Sequence, residues 1–183
     1  MPTSWYAVSL MSNREHKAKR FLDDRPVPCF LPVYLTASRR RDRARTLERP
    51  LFPGYLFVHL DISSPLRIEV LRCPGVVDFL RSGHGPAPVP DEVIDSLMIL
   101  TGAGRGVVNP HPLLTAGRRV AVCAGPFTGA RGILHLDERH QARLVVQVEL
   151  MGRAVAVPVG LHEVTPLLDG PPETEPAGGL TGR

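Results

Sequence analysis

The ten residues from Leu51 to Leu60, LFPGYLFVHL, carry the strongest strand signal in the first half of the chain. Aromatic and β-branched side chains dominate them, and Pro53-Gly54 breaks the run near its start. Upstream, Trp5 to Leu10 (WYAVSL) reads as an opening strand. Asn13 is the expected cap of a helix from Arg14 to Asp24, with Ala18, Phe21 and Leu22 on one face at helical spacing. Pro26 stops that helix. Val27 to Leu35 then reads as an edge or irregular strand, because Pro28 and Pro32 remove ladder donors. Downstream, Pro65 opens a short helix through Leu71, and Pro74-Gly75 turns into a strand from Val76 to Leu80. Pro90-Asp91 starts a helix with Ile94, Leu97 and Met98 on one face. The order βαββαβα predicts an α+β domain, an antiparallel sheet with helices packed on one face.

From Gly102 to Pro112 the sequence GAGRGVVNPHP has no periodicity and reads as a linker. The pattern then changes to short strands at Arg119–Cys123, Gly132–Leu136, Arg143–Leu150, Ala154–Val159 and near Val164. Alternation is plain at Leu144, Val146, Val148 and Leu150, and again at Val155, Val157 and Val159. Four or five strands in so short a segment predict a small all-β barrel, since closure removes exposed edges. From Asp169 the chain is rich in Pro and Gly and nearly devoid of apolar residues, the composition of a disordered tail. The expected organisation is residues 1–102, a linker at 103–112, a barrel at 113–168 and the tail at 169–183.

Charge is informative by its location. The chain carries 22 Lys+Arg and 18 Asp+Glu, a formal net of +4. Between Arg39 and Arg49 lie six arginines (39, 40, 41, 43, 45, 49) with only Asp42 and Glu48, and removing this segment leaves 16 residues of each sign. The excess positive charge therefore sits in one solvated loop. Cys29, Cys73 and Cys123 are far apart and form no CxxC pair, which argues against a zinc site or a disulfide framework and for small buried apolar residues in a reducing cytoplasm. The histidines show no metal-ligand spacing, and His135 and His140, flanking a turn, read as polar surface. No Ser-His-Asp set, paired carboxylates or phosphate loop stands out; Gly102-Ala103-Gly104 is followed by no Lys-Ser or Lys-Thr. No catalytic residue and no cofactor are expected. Met1 to Met11 lacks the pattern of a signal peptide, and no apolar run approaches the roughly 20 residues of a membrane span.

Several stretches together resemble the NusG family of transcription elongation factors. They are WYAV at 5–8, PLFPGYLFV at 50–58, PGVVDFL at 74–80 and PVPDEVID from Pro88. In the second half, GRRVAVCAGPFTGARG at 117–132 and GRAVAVPV at 152–159 resemble a KOW motif. The resemblance implies an N-terminal NGN domain followed by an SH3-like KOW barrel. VPCFLPVYL (27–35) and ERPLFPGYLFVHLD (48–61) look more like the specialised paralogues typified by RfaH, which implies an operon-specific antitermination role.

The resemblance also assigns partners. Trp5, Tyr6, Phe52, Pro53, Gly54 and Tyr55 correspond to a concave apolar patch that grips the β′ clamp helices of RNA polymerase. Without the resemblance, the same aromatics read as core packing. Arg14 and Lys17, three apart on one helix face, correspond to the end that meets the exposed non-template DNA strand, and read otherwise as solvated helix charges. Arg39, Arg40, Arg41, Arg43 and Arg45 suit phosphates of upstream DNA or nascent RNA, attracted without sequence readout. Where RfaH-like factors carry a His-Thr-Thr run for the polymerase β gate loop, this chain has Leu66, Arg67 and Ile68, which puts that contact in doubt. In the barrel, Phe127, between turn residues and expected to be exposed, joins Met151, Gly152 and Arg153 as the implied surface for ribosomal protein NusE and the termination factor Rho. Met151 replaces the family's usual aromatic; it keeps an apolar, adaptable surface for NusE but weakens the case for Rho. A ribosome-associated or RNA-binding KOW protein is the competing reading. It accounts for the barrel but not for the residues before it.

Overall fold

The computed structural model describes residues 2–37, 46–83, 85–103, 108–111, 114, 117–137 and 139–167. In chain order the elements of the first half are β1 (Ser4–Leu10), α1 (Glu15–Asp23), β2 (Cys29–Phe30), β3 (Val33–Ala37), β4 (Thr46–Pro50), β5 (Tyr55–Leu60), α2 (Leu66–Leu71), β6 (Val76–Phe79), β7 (Arg81–Ser82), β8 (Gly85–Pro86), β9 (Pro88–Val89) and α3 (Asp91–Gly102). Those of the second half are β10 (Asn109–His111), β11 (Arg118–Val122), β12 (Arg131–Leu136), β13 (Ala142–Val148), β14 (Arg153–Pro158) and β15 (Val164–Pro166). The class is α+β, as the element order predicted.

The first sheet runs β2-β5-β1-β6, with β9 also pairing β1, and every pairing is antiparallel. Its central pair, β1 and β5, matches Trp5 with His59, Tyr6 with Val58 and Ala7 with Phe57. Successive residues of a strand face opposite sides. Tyr6, Val8, Leu10, Leu56, Val58 and Leu60 therefore point to one side, where Ala18 and Leu22 of α1 and Val70 of α2 cover them. Trp5, Ala7, Tyr55 and Phe57 point to the other, where Ile94, Leu97 and Leu100 of α3 pack. Helices thus cover both faces, not one as expected. The cause is visible in β5: Leu56, Phe57 and Val58 are consecutive and fully buried, a run that needs cover on both sides.

Three local expectations are corrected. Asn13 does not cap α1 but sits at φ +59°, and the helix begins at Glu15 after an N-cap residue, Arg14, that makes no side-chain cap bond. Met98 is 37% exposed, so the apolar face of α3 is Ile94, Leu97 and Leu100. The stretch from Val27 to Leu35 splits, because β2 joins the main sheet while β3 leaves it to pair with β4 as a separate hairpin, Val33 opposite Pro50 through Ala37 opposite Thr46.

The second sheet is six-stranded, in the order β10-β14-β13-β12-β11-β15, again antiparallel throughout. Leu144, Val146, Val148, Val155 and Val157 fill its interior together with Val120 and Val122. Asn109–His111, expected within the linker, is a strand of this sheet paired with β14. Gly132, the expected start of a strand, lies inside β12; a Cβ there would stand 2.5 Å from the Val145 carbonyl oxygen, so the close approach of β13 demands glycine. The tail from 169 onward lies outside the described residues.

Candidate functional site

The segment Phe52-Pro53-Gly54-Tyr55 is a type II β-turn. The Tyr55 N–H donates to the Phe52 carbonyl at 3.1 Å, proline sits second, and Gly54, third, has φ +84°, a conformation that favours glycine. The turn is held from outside on both polar groups of Gly54. Its carbonyl accepts from the Leu10 N–H at 2.8 Å, and its N–H donates to Glu15 Oε1 at 2.8 Å. Glu15, at the start of α1, is only 6% exposed.

Around this turn the candidate patch residues divide. Pro53 is exposed, and Tyr55 and Trp5 are half-buried, with the Trp5 ring 5.0 Å from that of His59. Phe52 is 1% exposed and meets Phe57 edge-on at 6.0 Å, so it is a core residue beneath the patch. Tyr6 is a correction: it is 7% exposed on the face covered by α1 and α2, edge-on to Phe79, because neighbours on a strand cannot share a face.

The second sheet packs over the same side of the first. α3 supplies a stripe at helical spacing, Glu92, Ser96 and Ile99. Glu92 Oε1 receives Arg119 at 2.6 Å and its Oε2 faces Arg131 at 3.6 Å. The Ser96 hydroxyl, 1% exposed, donates to the Glu92 carbonyl at 2.7 Å and accepts the Arg131 backbone N–H at 2.9 Å. Gly129 rests against Ile99. Phe127, expected to be exposed, is 4% exposed and belongs to a single apolar cluster that includes Phe52, Phe57, Ile94 and Leu97; its side chain turns inward while the flanking Gly125, Pro126, Thr128 and Gly129 stay exposed. Met151 packs against this cluster, Gly152 is exposed, and the Arg153 guanidinium stands 5.6 Å from the centre of the Tyr55 ring. The residues singled out separately in the two halves therefore meet.

Arg14 and Lys17 are exposed at the start of α1, and the Arg14 stem lies over Gly75. Arg39, Arg40, Arg41, Arg43 and Arg45 lie outside the described residues; Arg49, at the base of the same hairpin, is exposed. The cysteines are not uniformly buried as expected: Cys73 is buried, Cys29 half-buried and Cys123 exposed. Burial pushes the Cys29 thiol up to about 12. His135 is half-buried and lies edge-on to His111 at 5.4 Å, correcting its assignment to plain surface. Among the described residues no group of three or more His, Cys, Asp or Glu could hold a metal ion, and no helix is long and apolar enough to cross a membrane.

A family model described as "Transcription termination factor nusG" matches residues 3–98. The chain belongs to the NusG family. It is 26% identical over 182 residues to the "Transcription termination/antitermination protein NusG" of Borreliella burgdorferi, covering 90% of this chain and 98% of that protein. The Escherichia coli NusG is 27% identical over 170 residues, covering 87% and 94%. A solved structure described as "Domain interaction in Thermotoga maritima NusG" matches with TM-score 0.53 at 26% identity, over 90% of this chain and 97% of that one. Membership makes this chain a transcription elongation and antitermination factor of the NusG type. Three residues of the site went unremarked in the sequence: Glu15, Glu92 and Ser96. For Ser96 a signal exists, a hydroxyl set four residues after Glu92 in an otherwise apolar helix face.

Proposed function

We propose that the protein binds RNA polymerase at the β′ clamp helices through the face around Tyr55, and keeps the enzyme elongating past pauses or terminators without catalysing a reaction. A bridge of this kind needs no active site, because its binding free energy alone shifts a conformational equilibrium. The observation that carries the reading is the contact of Arg153 with Tyr55. A half-buried aromatic, the residue type of binding hot spots, is covered by the protein's own second sheet through a cation–π contact. That arrangement supports a factor whose polymerase face and whose NusE-facing surface, Met151 to Arg153, cover each other until a partner separates them.

Arg14, Lys17 and the arginine loop then serve the non-template DNA strand or nascent RNA. The likeness to RfaH-type paralogues supports action on particular operons, in the cytoplasm. NusE is the favoured partner of the opened second sheet, ahead of Rho. The test is affinity purification of the full-length chain from its own cells. Enrichment of core polymerase subunits supports the reading, whereas enrichment of ribosomes without polymerase transfers the case to a ribosome-associated KOW protein. Transcript mapping in a deletion strain separates an operon specialist from a general factor.

A further inference from the structure

We propose that Glu15 is the positioning residue of the polymerase-facing turn, its buried carboxyl selecting the type II conformation of Phe52 to Tyr55 by holding the Gly54 N–H. The inference rests on the reading of the Tyr55 face given above and adds the group that shapes it from behind. Type I and type II turns share the hydrogen bond between the first and fourth residues and both accept proline at the second. They differ in the central peptide plane, which is rotated by roughly 150° or more between them. Glycine at the third position permits type II without requiring it, so the four residues alone leave two orientations open.

The deciding contacts come from elsewhere in the chain. In the observed orientation the Gly54 N–H points away from the turn and meets Glu15 Oε1 at 2.8 Å. Rotating the plane would withdraw that donor and leave a buried carboxyl without it. Glu15 is the buried charged residue of the described chain, at 6% exposure, and an apolar side chain of similar size would fill the space without the penalty of burying a carboxyl. An acceptor at this position therefore has a use beyond packing. The free N–H groups of the first turn of α1 favour negative charge there.

The carboxyl is also delivered from a fixed point. The Arg14 N–H donates to Met11 O at 3.2 Å, the Met11 N–H donates to Gly75 O at 2.8 Å, and a Cβ on Gly75 would stand 2.8 Å from Arg14 Cβ. Gly54 O, which lies outside the rotating plane, is held by the Leu10 N–H, so the far side of the turn is anchored to β1 while Glu15 decides the plane. The same plane carries the Pro53 carbonyl, so Glu15 also sets which way that acceptor faces beside exposed Pro53, two residues before Tyr55 opens β5.

The test compares E15A, E15Q and Y55A in the full-length chain by affinity for core RNA polymerase, melting temperature and hydrogen exchange of the Gly54 amide. E15A is expected to bind at least tenfold more weakly at a near-parental melting temperature, with faster exchange at Gly54. E15Q keeps an acceptor oxygen in place and is expected to recover most of the affinity. Loosening of the second sheet would raise affinity, so a fall reports the turn itself. Parental binding by E15A, or equal losses in E15A and E15Q with a shared drop in melting temperature, overturns the assignment. If Y55A weakens binding and E15A does not, Glu15 alone is refuted; if Y55A also binds as the parent does, the polymerase-facing reading falls with it.

Discussion

Tyr55 and Phe52 are three residues apart and have opposite fates on truncation. Tyr55 is half-buried at the rim of the cluster, so Tyr55→Ala leaves the fold intact and removes a central aromatic anchor. The expected loss is on the order of 2 kcal/mol, roughly thirtyfold in affinity for polymerase, read by pull-down. Phe52 is 1% exposed, and Phe52→Ala opens a cavity that lowers stability by about 3–5 kcal/mol, read by thermal melting. Parental affinity in Tyr55→Ala would return that residue to ordinary packing. The cysteines give a second check. At pH 8 a neutral alkylating reagent should label exposed Cys123 alone, because burial raises the Cys73 thiol and takes Cys29 to about 12, leaving it almost no thiolate at that pH. One modification per folded chain and three after denaturation is the expected mass spectrum; rapid triple labelling of the native protein would contradict the burial. Residue types alone could not sort Tyr55 from Phe52 or Cys123 from Cys73, since each pair differs only in what the rest of the chain lays over it.

At the scale of elements, most of the second sheet was legible because its strands alternate cleanly between an apolar interior and a polar exterior. The first sheet was harder. β1 and β5 are apolar on both sides, so the sequence identified them as strands without telling that α3 and the second sheet would cover one face. The hairpin of β3 and β4 was hidden by Pro28 and Pro32, which made one irregular strand of what are two. Its register runs from Val33 opposite Pro50 to Ala37 opposite Thr46, and residues 38–45, with most of the arginine run, lie outside the described residues. Replacing Arg39, Arg40, Arg41, Arg43, Arg45 and Arg49 by Ser is expected to flatten the salt dependence of binding to a DNA-containing elongation complex. The change is about 0.9 in slope per duplex phosphate no longer neutralised. Affinity for polymerase free of nucleic acid should stay as it was. An unchanged slope would reduce the loop to a solvated insertion.

For the molecule as a whole, the polar seam on α3 governs how firmly the two sheets stay together. Glu92, Arg119 and Arg131 are each about half exposed, so their ion pairs are weak and screened by salt. Glu92→Lys turns both attractions into repulsions and should favour separation by on the order of 1 kcal/mol or more, about fivefold. The radius of gyration should increase in solution scattering, and polymerase should bind more tightly, a change opposite in sign to that of Tyr55→Ala. Equal compactness and equal affinity would mean that the apolar cluster alone holds the seam. None of this was visible in the sequence, where Glu92 is one acid among several at a helix start.

The strand order of the second sheet also imposes a timetable. β10 is made first but pairs with β14, and β11 completes its pairing only with β15 at Val164–Pro166. The first sheet and α3, by contrast, are finished by Gly102. A ribosome adding about 5–20 residues per second needs several more seconds to supply the strands that close over Tyr55. Every newborn molecule therefore passes through an interval in which Tyr55 has been made and the strands that cover it have not. Polymerase encountered during that interval does not have to displace anything, so freshly translated copies would engage it more readily than older ones of identical sequence.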